Sequence, residues 1–230
     1  MVRPTCPKAV LCDLDGTLVD TASEIASAVN DTLLERGLPA LEPERIALWV
    51  GHGARDLITS VMAHVHGCDA SAVTALPDVE PTLGRFRVHY AVRTGTTGTL
   101  YDGVRACLTQ VSDAGLAMAV VTNKDTAFAR KSLAANGILD TFAALVCGDT
   151  LDTRKPDPAG VQTVLAQLDC RPSDALFIGD STVDVETARR AGVRVIAFSR
   201  GYNRGEPIER ARPDAVFEHW RDVPALIGLC

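Results

Sequence analysis

The 230-residue sequence contains no apolar run approaching the roughly 20 residues needed to cross a bilayer. A membrane-spanning role is therefore not expected. Met1 to Lys8 carries no apolar stretch, so no signal peptide is expected either. Basic charge is not in excess. The formal net charge is −6, whereas a nucleic-acid surface is basic and clustered. An anionic substrate must then be met by local cations or by a metal. The seven cysteines include no Cys-x-x-Cys pair, their number is odd, and Cys12 lies inside the apolar run Ala9-Val10-Leu11-Cys12. These features argue against a disulfide framework and a zinc site, and for reduced thiols in a cytoplasmic protein. No internal repeat or low-complexity segment is visible.

What remains is a soluble globular balance, 47% apolar and 23% charged. The length suits one large domain, or one domain with a modest insertion. Short apolar runs without alternation occur at Ala9 to Cys12, Ala117 to Val121, Ala144 to Cys147, Leu176 to Ile178 and Val193 to Phe198. Such runs suit strands covered on both faces, as in a parallel sheet. Helical patterns lie between most of them. Thr21 to Glu24 has capping-box spacing before a periodic run that ends near Gly37. Asp125 to Asn136, Pro158 to Leu168 and Val183 to Ala191 also read as helices, the first and last stopped by Gly137 and Gly192. Strand, loop and helix in repetition predict an α/β fold with a doubly wound parallel sheet.

One stretch breaks this rhythm. From about Thr21 to Arg93 no strand is evident. Glu42 to Val50, Arg55 to His66 and Ser71 to Tyr90 read as helical, and Thr94 to Gly98 reads as a small polar linker. The expected organisation is a core of residues 1–19 and 94–230, with a helical insertion at 20–93. His64 and His66 lie two residues apart and do not share a helix face, so they do not suggest a metal site.

Four polar clusters follow strands or open helices. The first strand runs into Asp13-Leu14-Asp15-Gly16-Thr17. Alternation puts Asp13 and Asp15 on one side of an extended segment. Two carboxylates so close call for a cation or a shared proton, and Mg²⁺ suits an all-oxygen site. Asp-Gly is also a common turn signal. The second strand ends at Thr122-Asn123-Lys124, where a helix start could bind phosphate or simply be capped. Lys155 stands between Arg154 and Pro156, either a fixed positive charge for a phosphoryl group or a solvated lysine before a proline-started helix. The fourth strand leads into Gly179-Asp180-Ser181-Thr182-Val183-Asp184, which could hold a metal or cap a helix. Taken singly, each cluster has an ordinary structural explanation. Together they form an inventory for Mg²⁺-assisted phosphoryl transfer, at the sheet edge where open α/β folds bind ligands.

In order and approximate spacing, these clusters resemble the four motifs of the haloacid dehalogenase superfamily, across the whole chain. The insertion resembles that superfamily's helical cap. Three further segments, Trp49 to Arg55, Gly148 to Pro158 and Gly201 to Pro207, resemble the bacterial phosphoglycolate phosphatases. The resemblance implies a cytoplasmic, Mg²⁺-dependent phosphomonoesterase acting on a small phosphorylated metabolite as a monomer or homodimer. It implies Asp13 as nucleophile and Asp15 as general acid and base. Asp13, Asp15 (through its backbone carbonyl) and Asp180 would ligate Mg²⁺, with Asp184 in support. Thr122, Asn123 and Lys155 would hold the phosphoryl oxygens. Arg55, with Gly51 admitting backbone to the ligand, is the expected recognition element for a substrate carboxylate. Asp15 disfavours a dehalogenase. A phosphonatase is disfavoured because its members resemble Asp-x-Ala at this motif and use a cap lysine. A phosphatase or mutase for another sugar phosphate stays open, as does an inactive binding protein on the same fold.

Overall fold

The computed structural model describes residues 6–69 and 78–229. Its centre is a six-stranded parallel sheet with strand order β5-β4-β1-β6-β7-β8. The strands are β1 (Ala9–Cys12), β4 (Ala117–Val121), β5 (Ala144–Val146), β6 (Ala175–Gly179), β7 (Arg194–Phe198) and β8 (Ala215–Phe217). Every residue of β1 is buried. Its side chains alternate between two cores: Val10 and Cys12 join Leu133 and Trp220 on one face, Ala9 and Leu11 join Val161 and Phe177 on the other. Burial on both faces explains the unbroken apolar runs. From β1 the core chain winds outward through β4 and β5, then returns to pair β6 on the opposite side. The reversal leaves a crevice beyond the carboxyl end of β1, the usual ligand position in such sheets.

Helices α1 (Ala22–Glu35), α2 (Pro43–Ala47), α3 (Ala54–His66) and α4 (Val79–Arg93) follow one another before the second core strand. They share a separate apolar core of Val29, Leu33, Ile46, Ile58, Met62 and Phe86, joined by Phe128 of helix α6 (Thr126–Ala135). Residues 71–77 of the expected third helix lie outside the described residues. Glu42 to Val50 is helical only over α2, with a turn after it. Around the sheet lie α5 (Val104–Asp113), α6, α7 (Ala159–Gln167), α8 (Thr182–Arg190) and the short α9 (Val223–Leu226).

Two strand features have no clear trace in the apolar pattern. β8 is three residues long and only Phe217 is buried. β2 (Val19–Asp20) and β3 (Thr99–Leu100) form a two-residue antiparallel pair where the chain leaves and re-enters the core. The capping box at Thr21 is not formed. The Thr21 hydroxyl donates to Asp15 Oδ1 at 2.8 Å. Glu24, almost fully buried, instead accepts from the backbone N–H of Gly95 (2.9 Å) and Gly98 (3.1 Å). Helix α1 is thus fastened to the returning linker through a carboxylate that sequence spacing assigns to its own N-terminus.

Glu24→Ala removes the acceptor for both linker N–H groups. It is expected to cost about 2 kcal/mol of stability, read as a lower urea midpoint. An unchanged midpoint would mean that water satisfies those groups equally well.

Candidate active site

Asp13 follows β1 directly, and its backbone N–H donates to Ile178 O on β6 at 2.9 Å. The chain then turns on itself. Leu18 and Val19 N–H both reach Leu14 O, and Gly16 has φ +82°, a conformation open to glycine. Buried Leu14 anchors the turn from within. Trp220 anchors it from below, its indole N–H donating to Thr17 O at 3.2 Å.

Beyond β6, Asp180 and Asp184 meet Asp13. Ligand oxygens of the three buried aspartates lie within 4.8 Å of one another. Ser181 caps α8 by a complete capping box with Asp184. Asp184 Oδ2 accepts from the N–H of Asp180 (3.1 Å) and Ser181 (3.0 Å) and from the Ser181 hydroxyl (2.6 Å). Capping and site chemistry are therefore the same interaction here. Gly179 makes room for it, since a Cβ there would fall 2.4 Å from Asp184 Cβ. Asp180 accepts from the Thr17 hydroxyl and, at 2.6 Å, from the Tyr202 N–H.

Lys155 is the cation of this cluster. Its Nζ lies 2.6 Å from Asp184 Oδ1 and 2.8 Å from Asp13 Oδ1. The second approach is an ion pair but poorly directed, leaving Asp13 Oδ1 without a hydrogen bond. Asn123 locks the lysine's backbone in place: its Oδ1 accepts from Lys155 N–H (2.9 Å), and its Nδ2 donates to Lys155 O and to Gly51 O of the insert, each at 3.1 Å. Thr122 and Asn123 sit at the end of β4, buried and beside Asp13 along one cavity.

That cavity, about 40 Å³, lies between core and insert. Asp13, Asp15, Thr122 and Asn123 line it from the core; Gly51, Leu57, Phe86 and Tyr90 line it from the insert. Asp15 points away from the aspartate cluster. Its Oδ1 meets Thr21 and, at 2.7 Å, the ammonium of Lys124. Lys124 in turn donates to the Tyr90 hydroxyl.

The structure thus brings together Asp13, Asp180, Asp184 and Lys155, and brings Asp15, Thr122, Asn123 and Gly51 to the adjoining cavity. It does not bring Arg55 there. Arg55 opens α3 on the outer side, its side chain 55% exposed and paired with Glu80, so its charge is already met in solvent. Thr17, Lys124, Tyr90 and Tyr202 were given no role in the site from the sequence. Thr17, Lys124 and Tyr202 lie within the segments that marked it, but Tyr90 has no local pattern to mark it.

Three carboxylates share one lysine in a buried site, an arrangement that calls for a further cation or for protons. Oxygen-only donors and the orphaned Asp13 oxygen fit a hard divalent cation such as Mg²⁺. Burial pushes the Asp13 carboxyl up to about 6, against the pull of Lys155 and with help from Asp184. Burial, then Asp184 and Asp13, holds Asp180 well above its ordinary value of 3.8.

The metal-free folded protein holds these protons more tightly than the unfolded chain. For Asp13, the stability gained from its proton is complete below the ordinary 3.8 and is lost as pH rises through about 6. A cation must displace those protons. Mg²⁺ is therefore expected to raise the melting temperature more at about pH 7 than at about pH 5, against an EDTA control. Equal shifts at both pH values would show that no proton is displaced.

Comparison with known proteins places this geometry. The profile described as "Haloacid dehalogenase-like hydrolase" matches residues 10–198. The chain is 38% identical to a phosphoglycolate phosphatase of Pectobacterium atrosepticum, over 99% of this chain and 95% of that one. It is 36% identical to a phosphoglycolate phosphatase of Rhodospirillum rubrum, over 97% and 92% of the two chains. The crystal structure of a predicted phosphoglycolate phosphatase from Haemophilus somnus superposes with a TM-score of 0.87 at 29% identity, covering 95% of this chain and 97% of the other. With the profile spanning all four polar clusters and the relatives matching nearly end to end, the chain belongs to the haloacid dehalogenase-like hydrolases.

Proposed function

We propose that this enzyme is a Mg²⁺-dependent phosphomonoesterase that works through an aspartyl-phosphate on Asp13, with 2-phosphoglycolate as its substrate. The observation that carries the proposal is the position of Asp13. It is a buried carboxylate at the switch point of the sheet, in contact with Lys155 and clustered with Asp180 and Asp184, and it opens onto the cavity. Similarity to the phosphoglycolate phosphatases of Pectobacterium atrosepticum and Rhodospirillum rubrum supports the substrate.

In the first step an Asp13 oxygen attacks phosphorus and the ester P–O bond breaks. Asp15 gives its proton to the leaving glycolate oxygen. In the second, Asp15 takes a proton from water, the water oxygen attacks phosphorus, and Asp13 leaves as a carboxylate with phosphate released. The Thr122 hydroxyl, the Asn123 backbone N–H and the Lys155 ammonium hold the phosphoryl oxygens as charge develops. Asp13, the Asp15 backbone carbonyl and Asp180 would hold Mg²⁺, with Asp184 orienting Lys155 and the turn that carries Asp180. Bound there, the ion supplies positive charge to the phosphoryl oxygens.

Phosphate release is to be measured from 2-phosphoglycolate and from a panel including glucose 1-phosphate, with Mg²⁺ and with EDTA. Turnover is expected to be greatest on 2-phosphoglycolate and to vanish in EDTA. Asp13→Asn is expected to lower kcat by roughly 1,000-fold or more while the circular dichroism spectrum is kept. Equal turnover across the panel would discard the substrate, and full activity of Asp13→Asn would discard the mechanism.

A further inference from the structure

Resting on that substrate, we propose that Lys124 and the Tyr90 hydroxyl together recognise its carboxylate and so set the specificity of the enzyme. The substrate places a carboxylate one methylene away from the ester oxygen. If Asp15 serves that oxygen, the carboxylate must lie close to Asp15. The walls nearby are largely apolar, with Ile25, Val50, Leu57, Phe86 and Phe128 lining the cavity. A carboxylate left unpaired against such walls is costly.

Lys124 is the one cation among the described residues that line this cavity. Its side chain is only 3% exposed, and its ammonium lies 2.7 Å from Asp15 and 4.7 Å from the centre of the Tyr90 ring. An ammonium has three N–H donors. Asp15 and the Tyr90 oxygen take two, which leaves one. The Tyr90 hydroxyl accepts from Lys124, and its own hydrogen meets no acceptor among the described residues. Two adjacent free donors match the two oxygens of a carboxylate. Both groups keep their hydrogens. Burial holds the Tyr90 phenol well above its ordinary value.

Neighbouring cations are already engaged elsewhere. Arg55 pairs with Glu80, Arg87 with Asp125, and Lys155 with Asp13 and Asp184. Arg154 donates one N–H to Gly148 O and is not among the residues that line this cavity. The recognition pair also spans the molecule, because Lys124 follows β4 of the core whereas Tyr90 belongs to α4 of the insert. A carboxylate bound there touches both parts at once.

The test compares 2-phosphoglycolate with ethyl phosphate, which lacks the carboxylate, on the wild type, Lys124→Met and Tyr90→Phe. Lys124→Met is expected to lower kcat/KM on both substrates, since Asp15 loses its partner. The ratio of kcat/KM values, phosphoglycolate over ethyl phosphate, is expected to fall a further ~100-fold. Tyr90→Phe is expected to lower that ratio ~10-fold, chiefly by raising KM for phosphoglycolate. Should Lys124→Met fail to fold, the Tyr90→Phe ratio decides. Equal losses on both substrates in each soluble variant would overturn the proposal and leave Lys124 as a positioning residue for Asp15. A wild type indifferent to the carboxylate would overturn the substrate reading, and this recognition with it.

Discussion

Like charge crowded at one edge of the sheet is the constraint that organises this molecule. Asp13, Asp180 and Asp184 are buried within 4.8 Å of each other, where mutual repulsion and desolvation both oppose ionisation. Fixed donors offset part of that cost. Lys155 spans Asp13 and Asp184. Backbone N–H groups at the start of α8 converge on Asp184, and the Thr17 hydroxyl and Tyr202 N–H on Asp180. The donors come from four loops, so the loops are pinned by the carboxylates as much as the carboxylates by the loops. Gly179 reflects the same crowding, since any larger residue would press on Asp184.

A second ion pair lies a short way off and is built differently. Lys124 and Asp15 face the cavity rather than the aspartate cluster, and their further partners both come from the insert: Thr21 at its start and Tyr90 on its last described helix. The first network is confined to the sheet edge and is compatible with constant phosphoryl chemistry. The second includes groups from the insert, so it depends on the insert and the core together. Asn123 ties the first network to the insert, holding Lys155 on one side and Gly51 on the other.

Much of this was legible in the sequence because buried parallel strands write themselves as unbroken apolar runs. The five core strands expected from those runs are present to within a residue or two at their ends. Each polar cluster also follows a strand, which placed Asp13, Thr122, Lys155 and Asp180 at one sheet edge before any geometry was known. Short and half-exposed strands leave no such trace, hence the omission of β2, β3 and β8. Local spacing was misleading at Thr21 and Glu24, where tertiary partners outcompeted the capping box. It was also insufficient at Arg55, because a helix start near a glycine turn does not say which way the side chain leaves. Tyr90 and Lys124 meet across 34 positions of chain, and no pattern within either segment announces the encounter.

The two-residue pair of β2 and β3 sets Val19 beside Leu100 and Asp20 beside Thr99. The insert therefore departs and returns at a single point on the core. A segment with adjoining ends can be enlarged, trimmed or exchanged during evolution without disturbing the strand order beneath it. Such modularity usually lets selectivity drift while chemistry stays fixed. Here the exchange is not free: a replacement insert inherits a core lysine whose hydroxyl partner left with the old one, and unless it presents another, that buried ammonium is left with Asp15 alone.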